Sequence, residues 1–144
     1  MNQPEDAVEQ FFRAYESEIA TGNMTCTVAR FADAFQFAGP LGSQSFRAAD
    51  FALALPRRKQ LFDRLGCQST YLVFLHQTQL DVRYILVRTE WKLTFARSQG
   101  EPQQILVGST IILDTGPDPF KIVFYLDHHD LMKVLKEHGI LNPA

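Results

Sequence analysis

The stretch VRYILVRTEWKLTFAR, residues 82–97, decides the fold. Counting by twos puts Ile85, Val87, Trp91, Leu93 and Phe95 on one face. Tyr84, Leu86, Arg88, Glu90 and Lys92 fall on the other. Side chains alternate across a strand, so this period predicts a long strand with the Trp91 face buried. Residues 69–80, 103–115 and 120–126 read as strands too, being rich in the Tyr, Val, Ile, Phe and Thr that suit a pleated surface. Ser98-Gln99-Gly100-Glu101 turns one long hairpin, and Gly116-Pro117-Asp118-Pro119 makes a second turn.

Upstream of Gly66 the apolar period is that of a helix. Val8, Phe11, Phe12, Tyr15 and Ile19 form one stripe over residues 5–20, with Pro4 before it and Gly22-Asn23 after it. Thr25 is placed to cap a short second helix reaching residue 32, with Val28 and Phe31 inward. Phe35-Gln36-Phe37 alternates as a brief strand before a Gly39-Pro40-Leu41-Gly42 turn. Ser45 then caps a third helix carrying Phe46, Phe51, Leu53 and Leu55. Pro56 interrupts it, and the helix restarts with Leu61, Phe62 and Leu65 inward until Gly66. A last helix spans residues 129–137, capped by Asp127 and closed by Gly139. Helices first and a strand meander afterwards imply an α+β domain with helices packed on one face of an antiparallel sheet.

A chain of 144 residues, 46% apolar and holding twelve Phe, fits one domain over residues 1–144 without a disulfide or metal. The net charge of −2 and the scattered basic residues exclude a nucleic-acid stripe. Arg57-Arg58-Lys59, the one dense basic run, reads as a solvated helix face. Cys26 and Cys67 lie at no metal-ligand or CxxC spacing, and nothing implies a cofactor. Residues 1–10 are polar and acidic, unlike a signal peptide, and no apolar run suggests a membrane span. A cytoplasmic protein with reduced thiols is the expectation.

The element order, together with Tyr15, Thr21-Gly22-Asn23, Phe31-Ala32-Asp33, residues 37–42, the Trp91 strand and Asp127-His128-His129-Asp130-Leu131, resembles the nuclear transport factor 2-like superfamily. That superfamily includes ketosteroid isomerases and SnoaL-like polyketide cyclases. The resemblance implies a cone-shaped, cystatin-like curved sheet that encloses a pocket with its helices and pairs through the sheet as a homodimer. Ketosteroid isomerases put an oxyanion-hole Tyr on the first helix, which Tyr15 matches. They put the general base just before the Pro of a segment that here ends Phe37-Ala38-Gly39-Pro40, so Gly39 occupies the base position. Glycine cannot take a proton, which argues against steroid isomerisation. Their second donor sits where this chain has Gly108-Ser109-Thr110, and the Thr110 hydroxyl is the candidate. Arg88-Thr89-Glu90 resembles half of the limonene epoxide hydrolase pattern, yet parity puts Arg88 and Glu90 opposite the buried face.

The residues themselves leave alternatives open. Tyr15 is a core tyrosine or a pocket donor, and Phe37 and Trp91 are pocket wall or core. Asp127-His128-His129-Asp130 is a helix cap with a solvated first turn, or it supplies His128 as acid or base. His76 is a buried titratable group if it faces inward and part of a dimer surface if outward. Two functions follow. One is a pocket binding a small, largely apolar molecule, with acid–base chemistry from Tyr15, His76 or His128. The other is a non-catalytic dimerisation or protein-binding domain whose pocket its own Phe and Leu side chains fill.

Overall fold

The first helix is the lid of the sheet. In a computed structural model describing residues 4–141, α1 (Pro4–Thr21) buries Val8, Phe11, Phe12 and Tyr15, the stripe its sequence predicts. Gly22, at φ 71°, ends it. Its N–H donates to Ile19 O and that of Asn23 to Glu18 O, the paired bonds of a Schellman end. Helix α2 (Met24–Ala29) is capped by the Asn23 side chain, which accepts from Cys26 N at 3.2 Å, and not by Thr25. It stops before Phe31, because Phe31 is already the buried first residue of a strand.

Residues 31–47 form two strands where one short strand and a helix start are expected. Strand β1 (Phe31–Gly39) pairs antiparallel with β2 (Gly42–Arg47), with Gly39 opposite Gly42 across a two-residue turn. Gly42 at φ 135° permits that reversal. Ser45 therefore lies on a strand and caps nothing, and Phe46 packs on Phe35 at 5.9 Å. Helix α3 (Ala48–Arg64) starts without a side-chain cap and runs through Pro56. Pro56 removes the bond to Ala52 O, but Ala52 is exposed and water can satisfy it. Leu53 on this helix is 73% exposed.

Strands β3 (Cys67–Gln79), β4 (Tyr84–Phe95), β5 (Gln103–Asp114) and β6 (Lys121–Asp127) follow, and α4 (Leu131–Glu137) closes the described chain. The sheet order is β2-β1-β6-β5-β4-β3. Its neighbours are antiparallel except β1 and β6, which run parallel. Burial on β4 alternates as its sequence requires, with Ile85, Val87, Thr89, Trp91, Leu93 and Phe95 inside. On β3 the alternation breaks. Leu72 pairs with Trp91 but Phe74 with Glu90, so Val73 is a bulged extra residue. Helix α1 satisfies the backbone there: Leu72 N–H donates to Glu16, and Leu72 O accepts from Arg13 at 3.1 Å. The bulge keeps Leu72 inward and turns Phe74 and His76 outward.

The main core joins α1, β1 and the inner faces of β4 to β6. A smaller one packs Leu135 of α4 on Leu93, Phe95 and Ile105. Asp130, not Asp127, caps α4, accepting from Lys133 N. No helix among the described residues is long and apolar enough to cross a membrane.

Candidate functional site

Strand β6 ends with alternating directions that decide what reaches the interior. Tyr125 and Asp127 point into a cavity of about 270 Å³, while Leu126 and His128 take the opposite parity. Helix α1 contributes Tyr15, β1 contributes Phe31, Phe35 and Phe37, β4 contributes Trp91, and β5 contributes Ser109. Helix α3 covers the remaining side with Phe51, Arg58 and Phe62. The walls are mainly aromatic: Tyr15 lies 6.0 Å from Trp91, and Phe37 stacks on Tyr125 at 5.6 Å.

The Tyr15 hydroxyl and the Asp127 carboxyl both face this space without a hydrogen-bond partner among the described residues. The Tyr15 residue is 7% exposed, and its hydroxyl makes no hydrogen bond to a described residue. Every fully buried side-chain polar atom among the described residues is paired, so the Tyr15 hydroxyl is free because it opens on the cavity. Burial pushes its pKa well above the usual tyrosine value, helped by Tyr125. The Asp127 carboxyl likewise lacks a hydrogen-bond partner among the described residues. Burial raises its pKa, with the Arg58 charge the main opposing influence. Tyr125 is pushed up to about 12 by burial and then by Asp127, against the Ser109 hydroxyl beside it.

Behind these groups, Trp91 Nε1 donates to Thr89 Oγ1 at 3.0 Å, and Thr89 Oγ1 lies 2.6 Å from Ser109 Oγ. That chain fixes the indole edge and spends both hydroxyls inside the wall. Asp127 stands beside Gly39 on the neighbouring strand: a Cβ at residue 39 would come 3.9 Å from Asp127 Cβ.

The cavity gathers Tyr15, Phe37 and Trp91 from among the residues singled out in the sequence. It does not gather His76, His128 or Thr110. The exposed His76 pairs with Arg88 on the outer face, as the Val73 bulge dictates. His128 lies on the outer face too, with Nε2 2.7 Å from Thr110 Oγ1. Its ring crosses Gly108, where a Cβ would meet Nδ1 at 3.2 Å. Thr110 shares that face, so the inward hydroxyl of its segment belongs to Ser109. Of the paired histidines it is His129 that borders the cavity. Asp127, Arg58, Tyr125 and Ser109 escaped the sequence reading. The signal for three of them was parity, since Tyr125 and Asp127 are two apart and Ser109 pairs with Asp127.

No protein-family model and no curated protein matches the sequence. Solved structures do match. An NTF-2-like protein of unknown function from Shewanella oneidensis superposes with TM-score 0.71 at 12% identity, over 88% of this chain and 100% of that one. An NTF2-like protein with a cystatin-like fold from Novosphingobium aromaticivorans gives TM-score 0.71 at 11% identity, over 91% and 87%. A ketosteroid isomerase-like protein from Erwinia carotovora atroseptica gives 0.68 at 12%, over 89% and 97%. With its curved six-stranded sheet under helices, the chain has the nuclear transport factor 2-like, cystatin-like fold.

Proposed function

We propose that the cavity binds a small, planar, largely apolar organic molecule and exchanges a proton with it through Asp127. The observation that carries this reading is the unpaired Tyr15 hydroxyl and the unpaired Asp127 carboxyl opening on one aromatic-walled cavity. Ligand sites are mostly apolar with few polar groups, and unpaired groups of this kind are rare where no ligand comes. Asp127 stands in space beside Gly39, the position at which the isomerase resemblance expects the base. On this reading a carboxyl on β6 does the work that the resemblance assigns to one on the parallel neighbour β1. A carboxyl whose pKa burial has raised is a stronger base than an ordinary carboxylate, which suits it to take a proton and return it. Tyr15 then donates to the oxygen that gains charge, and the dry aromatic wall strengthens that bond. His76, His128 and Thr110 have no part in it. A self-filled pocket fits a cavity of about 270 Å³ less well than a ligand does.

The experiment uses 2-acetylnaphthalene as probe, following its stabilisation of the fold and the exchange of its methyl protons for deuterium by NMR. Wild type is expected to be stabilised and to exchange, with Asp127→Asn slowing exchange about 10²–10⁴-fold. Absence of binding by this probe and by a panel of one- and two-ring molecules rejects the pocket reading. Binding without exchange rejects the proton transfer alone.

The outer sheet face supports a second part of the proposal, a two-fold homodimer with Tyr84, Leu86 and Arg88 buried in it. Phe74 and Leu106 stand 40% and 61% exposed on that face, as an interface core would. A monomer in sedimentation at micromolar concentration counts against it.

A further inference from the structure

Charges around the cavity are not evenly spent. Glu18 is held by Arg30 through bonds of 2.7 and 3.1 Å, and Asp63 by Lys59 at 3.1 and 3.2 Å. Those lining charges cancel in pairs. Arg58 also lines the cavity, and among the described residues it makes neither an ion pair nor a hydrogen bond. Its guanidinium lies over the Phe62 ring, 4.7 Å from the centroid. Stacking holds the plane of the group and leaves its edge N–H donors unspent. Arg58 is exposed at the solvent side of α3, whereas Tyr15 and Trp91 are deep.

We infer that the ligand of this cavity is a planar one- or two-ring carboxylate, its acid group read by Arg58 at the open side and its rings against Trp91 and the β1 phenylalanines. This rests on the pocket reading above and adds the ligand's charge to it. An edge-on guanidinium fork matches a carboxylate bidentately, with geometry that a neutral amide lacks. Size points the same way: about 270 Å³ exceeds the roughly 150 Å³ that holds benzene and falls just short of the usual drug-sized pocket. The charge of Arg58 also reaches the interior, since it opposes the raised pKa values of Tyr15, Tyr125 and Asp127.

The isosteric pair 2-naphthoate and 2-naphthamide tests it by titration calorimetry at low salt and neutral pH. Wild type is expected to bind the carboxylate about tenfold more tightly than the amide. Arg58→Gln erases the preference while keeping amide affinity. Arg58→Lys retains part of it, because a point charge replaces the fork. Arg57→Gln, on the exposed neighbour, retains all of it. Equal affinity in wild type overturns the inference and leaves the pocket reading standing. A preference that survives Arg58→Gln overturns the role of Arg58. Binding of neither probe overturns the inference, and failure of the one- and two-ring panel as well removes the pocket reading with it.

Discussion

On its inner side β6 presents Tyr125 and Asp127 to an aromatic cavity, and on its outer side the same few residues present Leu126 and His128 to the open sheet face. Both inner groups have raised pKa values, and the Asp127 carboxyl has no hydrogen-bond partner among the described residues. On the outer face His128 and Thr110 satisfy each other at 2.7 Å. A one-residue step therefore separates unspent chemistry from spent chemistry. His76 and His128, which look catalytic by type, both sit on the outer face. Residues that do not look so, an aspartate resembling a cap and an arginine resembling a solvated face, border the cavity.

The largest contrast between the faces is in stability. Phe31 is 4% exposed and touches Phe35 and Phe51 at centroid distances of 4.7 and 4.6 Å, while Phe74 is 40% exposed. Phe31→Ala is expected to cost about 3–5 kcal/mol, through lost transfer energy and the cavity left behind. Phe74→Ala is expected to stay within about 0.5 kcal/mol in the monomer. Chemical denaturation of both variants measures this, and equal losses would erase the division between faces.

How much of this was legible follows from the same division. Strand β4 alternates strictly, so both of its faces could be read, down to Arg88 and Glu90 pointing out. Strand β3 could not be read, because Val73 is an extra residue that long-range bonds from Arg13 and Glu16 hold in place. No local pattern announces a bulge whose partners lie on another helix. The β1–β2 hairpin was missed for a related reason. Phe46 suits a helix stripe and a strand face equally, and only pairing opposite Phe35 separates them. Tyr15, Phe37 and Trp91 were found because apolar period marks what is inside. Asp127 and Arg58 were not, because a charged group at the end of an element looks the same whether it caps, solvates or faces a cavity.

A medium-sized contrast comes from two threonine hydroxyls. Thr89 is 2% exposed and joins Trp91 Nε1 to Ser109 Oγ, whereas Thr110 meets His128 at the surface. Thr89→Val strands a buried indole N–H and a buried serine hydroxyl, so a loss of about 1–3 kcal/mol is expected. Thr110→Val leaves only His128 Nε2 without its partner, and water can satisfy it at the surface, so the loss should stay below about 1 kcal/mol. Retention of 2-naphthoate affinity in Thr110→Val would sharpen the contrast, and a collapse of that affinity would return the outer face to the site.

The smallest expected effect is the most pointed, because its sign depends on pH. The carboxyl of Asp127 has its pKa raised by burial, so the folded state disfavours its ionised form. Ionisation costs stability above the unfolded carboxyl value, roughly 3.9, and the cost is complete once pH passes the folded value. Asp127→Asn never ionises and escapes that cost. It should melt above wild type at neutral pH, and the advantage should vanish below about pH 4. Asp114 is the opposite case at the far end of the sheet. Its bidentate bonds from Arg83 hold its carboxyl below the usual range, so its contribution is present above the unfolded value and is lost as pH falls through the folded one. Asp114→Asn should therefore melt below wild type at neutral pH, with the deficit shrinking on acidification. A stabilising substitution at an unpaired cavity carboxyl marks a group kept for chemistry at the expense of the fold. Should Asp127→Asn instead lower the melting temperature at neutral pH, Asp127 would be holding the structure together, and its place in the proton transfer would fall.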